Sequence, residues 1–311
     1  MSDASAAFSP WQRRVFEQTR ATLDAQRLGH ALLFCGPALL GKRAVADALA
    51  AHVLGAGTEP RVAQLIAAGT HPDFQQVSFV PTKDGSKLRS EIVIDQIREL
   101  SQKLSLTPQY GRAQVAIVDP ADAVNNAACN ALLKTLEEPQ PGRHLWLVAA
   151  NPARLPATIR SRCQRIEFRL PPRAESVAWL AAHGHGEPEA GEALDAAQGH
   201  PGLAAEWLAT GGLQLRREVQ NDLAGIARNE LAVVATAQRW SGDERTALRL
   251  RHAADLALAR ASGLTDPTGI GKLAAWFDAA NRTRDLLRTT VRADLAIADL
   301  LLAWRASVAR H

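Results

Sequence analysis

Cysteine, methionine and tyrosine are scarce in this sequence, with three, one and one in 311 residues, and aromatic residues make up 5%. Cys35, Cys129 and Cys163 share no CxxC spacing, so neither a disulfide framework nor a cysteine zinc site follows from them. Reduced thiols in a cytosolic setting are the reading that this spacing favours. No apolar run approaches the length of a membrane span and no secretory leader pattern is evident, so a soluble, cytoplasmic protein without a membrane partner is expected. Neither sign of charge dominates, because 36 Lys and Arg against 32 Asp and Glu leave +4. That balance is compatible with a nucleic-acid partner without requiring one. Hydrophobic residues reach 47%, enough for sizeable cores, and the length allows two or three domains.

The first two-thirds alternates strand and helix. Candidate strands are Ala31 to Phe34, Phe74 to Val80, Gln114 to Asp119, His144 to Ala149 and Gln164 to Phe168, and several of them read as the continuous apolar runs of buried parallel strands. Helices are expected at Pro10 to Leu28, Arg43 to Leu54, Asp95 to Leu104 and Asn125 to Glu138. The last has Asn125 or Asn126 as cap, a stripe at Ala128, Leu132 and Leu136, and Pro139 as stop. Such alternation implies an α/β domain with a parallel sheet flanked by helices. After Leu170-Pro171-Pro172 no strand signal remains. The expected division is an α/β P-loop domain over 1–170, a small helical lid over 171–212 and an all-α domain over 213–311. In the last, Ala247, Leu250, Ala254 and Ala257, and then Val291, Leu295, Ala298 and Leu302, form stripes of helical period.

Gly36-Pro37-Ala38-Leu39-Leu40-Gly41-Lys42-Arg43 follows the first strand and opens a helix, the context a phosphate-binding loop requires. Its first seven positions fit that pattern. The eighth should be Ser or Thr, whose hydroxyl is a magnesium ligand, and here it is Arg43. The acidic partner of the metal is expected at the end of a neighbouring strand, where Asp119 stands. The next position, which carries a water-polarising glutamate in many such ATPases, is Pro120. Gly36, Gly41, Lys42, Arg43 and Asp119 therefore form a degenerate nucleotide site, in which metal ligation and water activation both look impaired. Weak ATP or ADP binding is compatible with the retained cradle, and no cofactor is required. The plain alternative is a strand-to-helix turn with a surface lysine.

Further motifs resemble one family. Asn130-Ala131-Leu132-Leu133-Lys134-Thr135-Leu136-Glu137-Glu138-Pro139 is similar to the hallmark of AAA+ clamp-loader subunits. Ser161-Arg162-Cys163, preceded by Leu155-Pro156-Ala157-Thr158-Ile159-Arg160, resembles their SRC motif. His71-Pro72-Asp73-Phe74 and Ile94-Asp95-Gln96-Ile97-Arg98-Glu99-Leu100 resemble segments of the same bacterial proteins. The resemblance runs from Trp11 to about Phe168 and implies an AAA+ domain, a lid and a helical collar. It implies a place in the DNA polymerase III clamp loader, a pentamer that uses ATP to put the sliding clamp on primed DNA. The degenerate loop points to the stator of that assembly, which does not itself turn over ATP. Its implied partners are the motor (tau/gamma) subunits, the delta subunit and, through the complex, the sliding clamp and primer-template DNA. Many relatives carry a four-cysteine zinc module between the loop helix and the second strand; Gly55 to Thr70 has no cysteine, so no zinc is expected.

By that resemblance Arg162 is an arginine finger acting in trans on a neighbour's γ-phosphate. The alternative is a surface or salt-bridged arginine. Arg160 and Arg165 read as solvated or structural charges, Cys163 as a packed side chain, and Glu137 and Glu138 as helix-end interactions. Lys134 is a surface charge or an interface contact, and Asp122 either reinforces Asp119 or serves a turn. Lys83, Lys87 and Arg89 around Asp84-Gly85 are either a DNA-backbone cluster or a solvated turn. Two competing functions are an active AAA+ motor, which Arg43 and Pro120 oppose, and a small-molecule phosphotransferase, which the long helical C-terminal third opposes. No polymerase acidic triad can be assigned, so polymerase activity would belong to another subunit.

Overall fold

The computed structural model describes residues 7–82, 85, 87–111, 113–287 and 289–308. Among them are five strands and fourteen α-helices, and the chain divides into two compact units, Met1–Leu203 and Ala204–His311.

The first unit is built on β1 (Ala31–Cys35), β2 (Phe74–Val77), β3 (Gln114–Val118), β4 (Arg143–Ala149) and β5 (Gln164–Glu167), in the order β2-β3-β4-β1-β5. Every pairing is parallel. β1 and β3 are buried along their whole length because helices cover both faces of the sheet. Alternation along the strands divides the core in two. Leu32, Phe34, Val115, Ile117, Trp146 and Val148 face α1 (Pro10–Asp24), α2 (Lys42–Val53) and α3 (Pro60–Ala67). Ala31, Leu33, Ala116, Val118, Leu145 and Leu147 face α4 (Ile94–Ser105), α5 (Asn126–Glu137) and α6 (Ala157–Arg160). The α/β class expected from the sequence is the class observed. α5 starts where expected, with the Asn125 side chain accepting from the Ala128 N–H at 3.0 Å.

Several bounds differ from the sequence expectation. α1 stops at Asp24 rather than Leu28, because Gln26 takes a left-handed φ of 54° that no helix continues. β2 stops at Val77 rather than Val80, since Val77 pairs with Val118 and β3 ends there. α3 was not anticipated; it fills the stretch between α2 and β2 and buries Val62.

α7 (Arg173–Ala182), α8 (Glu187–Ala196) and the start of α9 (Pro201–Thr210) complete the first unit, so Leu170 lies well inside it. The Trp11 and Trp179 rings pack edge to face, 5.1 Å apart.

The second unit packs α10 (Gly212–Ala227), α11 (Val233–Ser241), α12 (Thr246–Ser262), α13 (Pro267–Leu286) and α14 (Ala293–Val308) around one core. Trp276 and Trp304 are buried there, and each indole N–H donates to a carbonyl, of Leu300 at 2.8 Å and of Leu223 at 2.9 Å. On α12, Leu250, Ala254 and Ala257 are buried as expected, but Ala247 is exposed. The expected stripe is out of phase with α14: Val291, which precedes the helix, and Leu295 and Leu302 are exposed, Ala298 is half-buried, and Ile297, Leu300, Leu301 and Trp304 form the buried face. Both faces of α14 are apolar, so periodicity alone could not choose between them. No helix among the described residues is long and apolar enough to cross a membrane.

Candidate functional site

The loop from Gly36 to Gly41 leaves the end of the central strand β1 and turns into α2. Gly36 has φ 131°, and a Cβ there would collide with the carbonyl oxygen of Phe168, whose own N–H donates to Cys35 O at 2.8 Å. Gly41, at φ 80°, caps α2 with no side chain of its own. Trp11 Nε1 and Gln12 Nε2 both donate to Leu40 O at 3.2 Å and pin the far side of the loop to α1. Gly202 on α9 approaches Leu39 so closely that a Cβ would meet its carbonyl oxygen. Among the described residues, no backbone N–H from 38 to 44 donates to another group. That row of N–H groups at a helix N-terminus is a cradle for anionic oxygen.

Lys42 is only 6% exposed, and its ammonium donates to Gly36 O at 2.8 Å and Pro37 O at 2.6 Å. Burial pushes its pKa down, and the charges of Asp119 and Asp122 pull it back up.

Arg43 replaces the usual hydroxyl with a guanidinium that reaches two carboxylates. Its Nε donates to Asp47 Oδ1 at 2.8 Å and Oδ2 at 3.0 Å, and its Nη1 to Asp119 Oδ2 at 3.3 Å. Burial raises the Asp47 carboxyl, opposed by its bond to Arg43. Asp122 lies apart from this pair and accepts from the Asn151 N–H at 2.8 Å. A magnesium ion, which phosphate loops of this kind use, needs a hydroxyl at position 43 and a carboxylate free to bind it. Here the hydroxyl is absent and the carboxylate faces a fixed cation, so the residues present do not fit that metal. Among the described residues no group of three or more His, Cys, Asp or Glu is placed to hold any metal ion.

Arg162 stands at the other end of the sheet. The register pairs Gln164 with Leu32, so the SRC segment precedes β5 at the start of the strands, whereas the loop follows their end. Four residues of strand separate Leu32 from Gly36, roughly 13 Å at about 3.3 Å per residue. The guanidinium is exposed, paired with Glu137 Oε1 at 2.7 Å and donating to Thr158 O at 3.0 Å. Glu137, read from sequence as a helix-end group, is thus the partner of Arg162. The chain's own loop is out of this arginine's reach, so a phosphate it meets must come from another molecule.

The neighbouring candidates separate clearly. Arg165 and Lys134 are exposed, and Arg160 carries a buried Nε with no partner among the described residues. Cys163 is buried, and burial pushes its thiol up to about 11. It is an inert, packed side chain. Of the basic cluster, Lys83 and Asp84 lie outside the described residues. Lys87 sits on a turn in which Thr82 N–H donates to its carbonyl at 2.7 Å, and Arg89 N–H donates to Val80 O at 2.9 Å.

The family model for "DNA polymerase III, delta subunit" matches residues 11–172. A protein named DNA polymerase III subunit delta' from Pseudomonas aeruginosa is 38% identical over 241 residues, covering 75% of this chain and 71% of that protein. The chain belongs to the DNA polymerase III delta-prime family. The delta' protein of Escherichia coli K12 is 36% identical over 179 residues, 55% of this chain and 52% of its own length. Among solved structures, a Thermotoga maritima DNA polymerase III gamma subunit-related protein covers 94% of this chain and 99% of its own at 15% identity, with a TM-score of 0.45.

For this delta-prime family member the sequence reading missed three contributors. Asp47 had a signal, since an acid four residues after Arg43 on a helix meets it. Gln12 and Trp11 had none, because their contact with Leu40 spans almost thirty residues.

Proposed function

We propose that this chain is the non-hydrolytic stator of a DNA polymerase III clamp loader, and that Arg162 completes the ATP site of an adjoining motor subunit. Family membership supports the loader role. The observation that carries the non-hydrolytic part is the contact between Arg43 and Asp119, which puts a protein cation where a working ATPase keeps its metal. Pro120 leaves no base beside it for water. The exposed guanidinium of Arg162, at the sheet end away from its own loop, supports action in trans. The partners in this reading are tau/gamma motor subunits and a delta subunit, with the sliding clamp and primer-template DNA met through the complex in the cytoplasm. No cofactor is needed for that role, and any ATP or ADP held at Lys42 is held without turnover. Structural zinc has no place in this reading, since Gly55 to Thr70 carries no cysteine to hold it.

The test is clamp- and DNA-stimulated ATP turnover by a loader reconstituted with this chain, as wild type and as Arg162→Ala. A fall on the order of 10³-fold or more is expected at the adjoining site, so with the assembly intact total turnover should drop by at least that site's share. Unchanged turnover would leave Arg162 a surface arginine and the chain a purely structural subunit.

A further inference from the structure

The misfit between this loop and magnesium has a positive side. We propose that the Gly36–Lys42 loop is a metal-independent polyphosphate site, in which Arg43 is the resident cation and which takes the diphosphate of a nucleotide or free pyrophosphate. The proposal rests on the non-hydrolytic reading above, since a loop that turned over ATP would need the metal this one excludes.

Three observations carry it. The cradle is intact: N–H groups from 38 to 44 donate to no other group among the described residues, and Gly36 and Gly41 hold the conformations the loop needs. The cation is anchored from one side. Arg43 Nε makes its shortest bond to Asp47, at 2.8 Å, whereas the 3.3 Å from Nη1 to Asp119 is longer than the 2.7–2.9 Å of a strong charge-assisted bond. Nη2 donates to nothing among the described residues. The outer edge of the guanidinium is therefore available to phosphate oxygens, which it matches two at a time. Thirdly, this cation is a side chain of the loop helix itself, so the site needs no ion from solution.

A metal-requiring phosphate loop binds its ligand as the magnesium complex. Here a magnesium-bound diphosphate brings a second cation against Arg43 and neutralises the oxygens that Arg43 and the N–H row would hold. Metal should therefore not strengthen binding, and should weaken it.

The experiment is calorimetric titration of the full chain with ADP and, separately, with inorganic pyrophosphate, in EDTA and in excess magnesium. Binding in EDTA at least as tight as in magnesium is expected, with a loss of about tenfold or more in Lys42→Ala. In Arg43→Thr, which restores the hydroxyl, the preference should reverse and magnesium should tighten binding. Equal binding of both probes assigns the site to phosphate alone, and binding of ADP only assigns it to a nucleoside diphosphate. Binding by the wild type that is about tenfold tighter in magnesium, or no binding of either probe at ~1 mM, overturns the proposal without recourse to any variant. ATP turnover by the isolated chain, measured alongside, would sink the non-hydrolytic reading. Metal-dependent or absent binding without turnover would sink only this inference.

Discussion

Arg162 and Glu137 meet at 2.7 Å, and both are exposed, so the arginine that points out of the first unit is held by a carboxylate it can leave. An exposed pair of this kind contributes no more than about 1 kcal/mol. Glu137→Gln should therefore shift the urea midpoint very little and leave loader turnover undiminished. A large loss of stability would mean that the pair is part of the fold rather than a resting place.

Gly36→Ala should be costly. The added methyl meets Phe168 O, and φ 131° lies outside the region that L side chains adopt. Strain of this sort amounts to about 1–3 kcal/mol. Chemical denaturation should show that loss, and a midpoint equal to that of the wild type would show that the loop shifts freely.

Cys35, Cys129 and Cys163 are all buried, and burial raises each thiol. None should react with a thiol reagent at pH 8 in the native protein, and all three should react in denaturant. Cys163 also has a pH consequence. The folded thiol titrates at about 11 against an ordinary 9.0, so the unfolded chain loses its proton first. Stability should fall as pH rises from 9.0 toward 11, and Cys163→Ala should flatten that fall.

His252 gives the opposite dependence. Its ring is fully buried against Trp207, 4.5 Å away, and neither nitrogen has a hydrogen-bond partner meeting ordinary geometry. Burial first, then Arg216, Arg251 and Arg249, lower its pKa from 6.5 to about 3, although the nearby Gly212 backbone opposes this. The unfolded chain takes the proton that the folded one refuses, so stability should fall as pH drops from 6.5 toward 3. Denaturation midpoints across that window should fall less steeply in His252→Leu.

β1 and β3 were legible because the sheet is covered on both faces there, so that Ala31 to Cys35 and Val115 to Val118 read as unbroken apolar runs. The α5 helix was legible from its cap and stripe. α14 was not, because an Ala- and Leu-rich helix offers two apolar faces and only packing selects Leu300 and Trp304 over Leu295 and Leu302. At the site, the sequence showed that Arg43 was the wrong residue for a metal ligand. It could not show where the guanidinium goes, because Asp119 is 76 positions away and meets it only through the order of the strands.

That strand order also sets a kinetic signature. Arg162 and Lys42 belong to opposite ends of one sheet, so no single molecule can bring them to the same phosphate. In the proposed role, what Arg162 accelerates should scale with the meeting of two chains and fade on dilution. Occupancy of the Lys42 loop should follow ligand concentration alone, however far the protein is diluted.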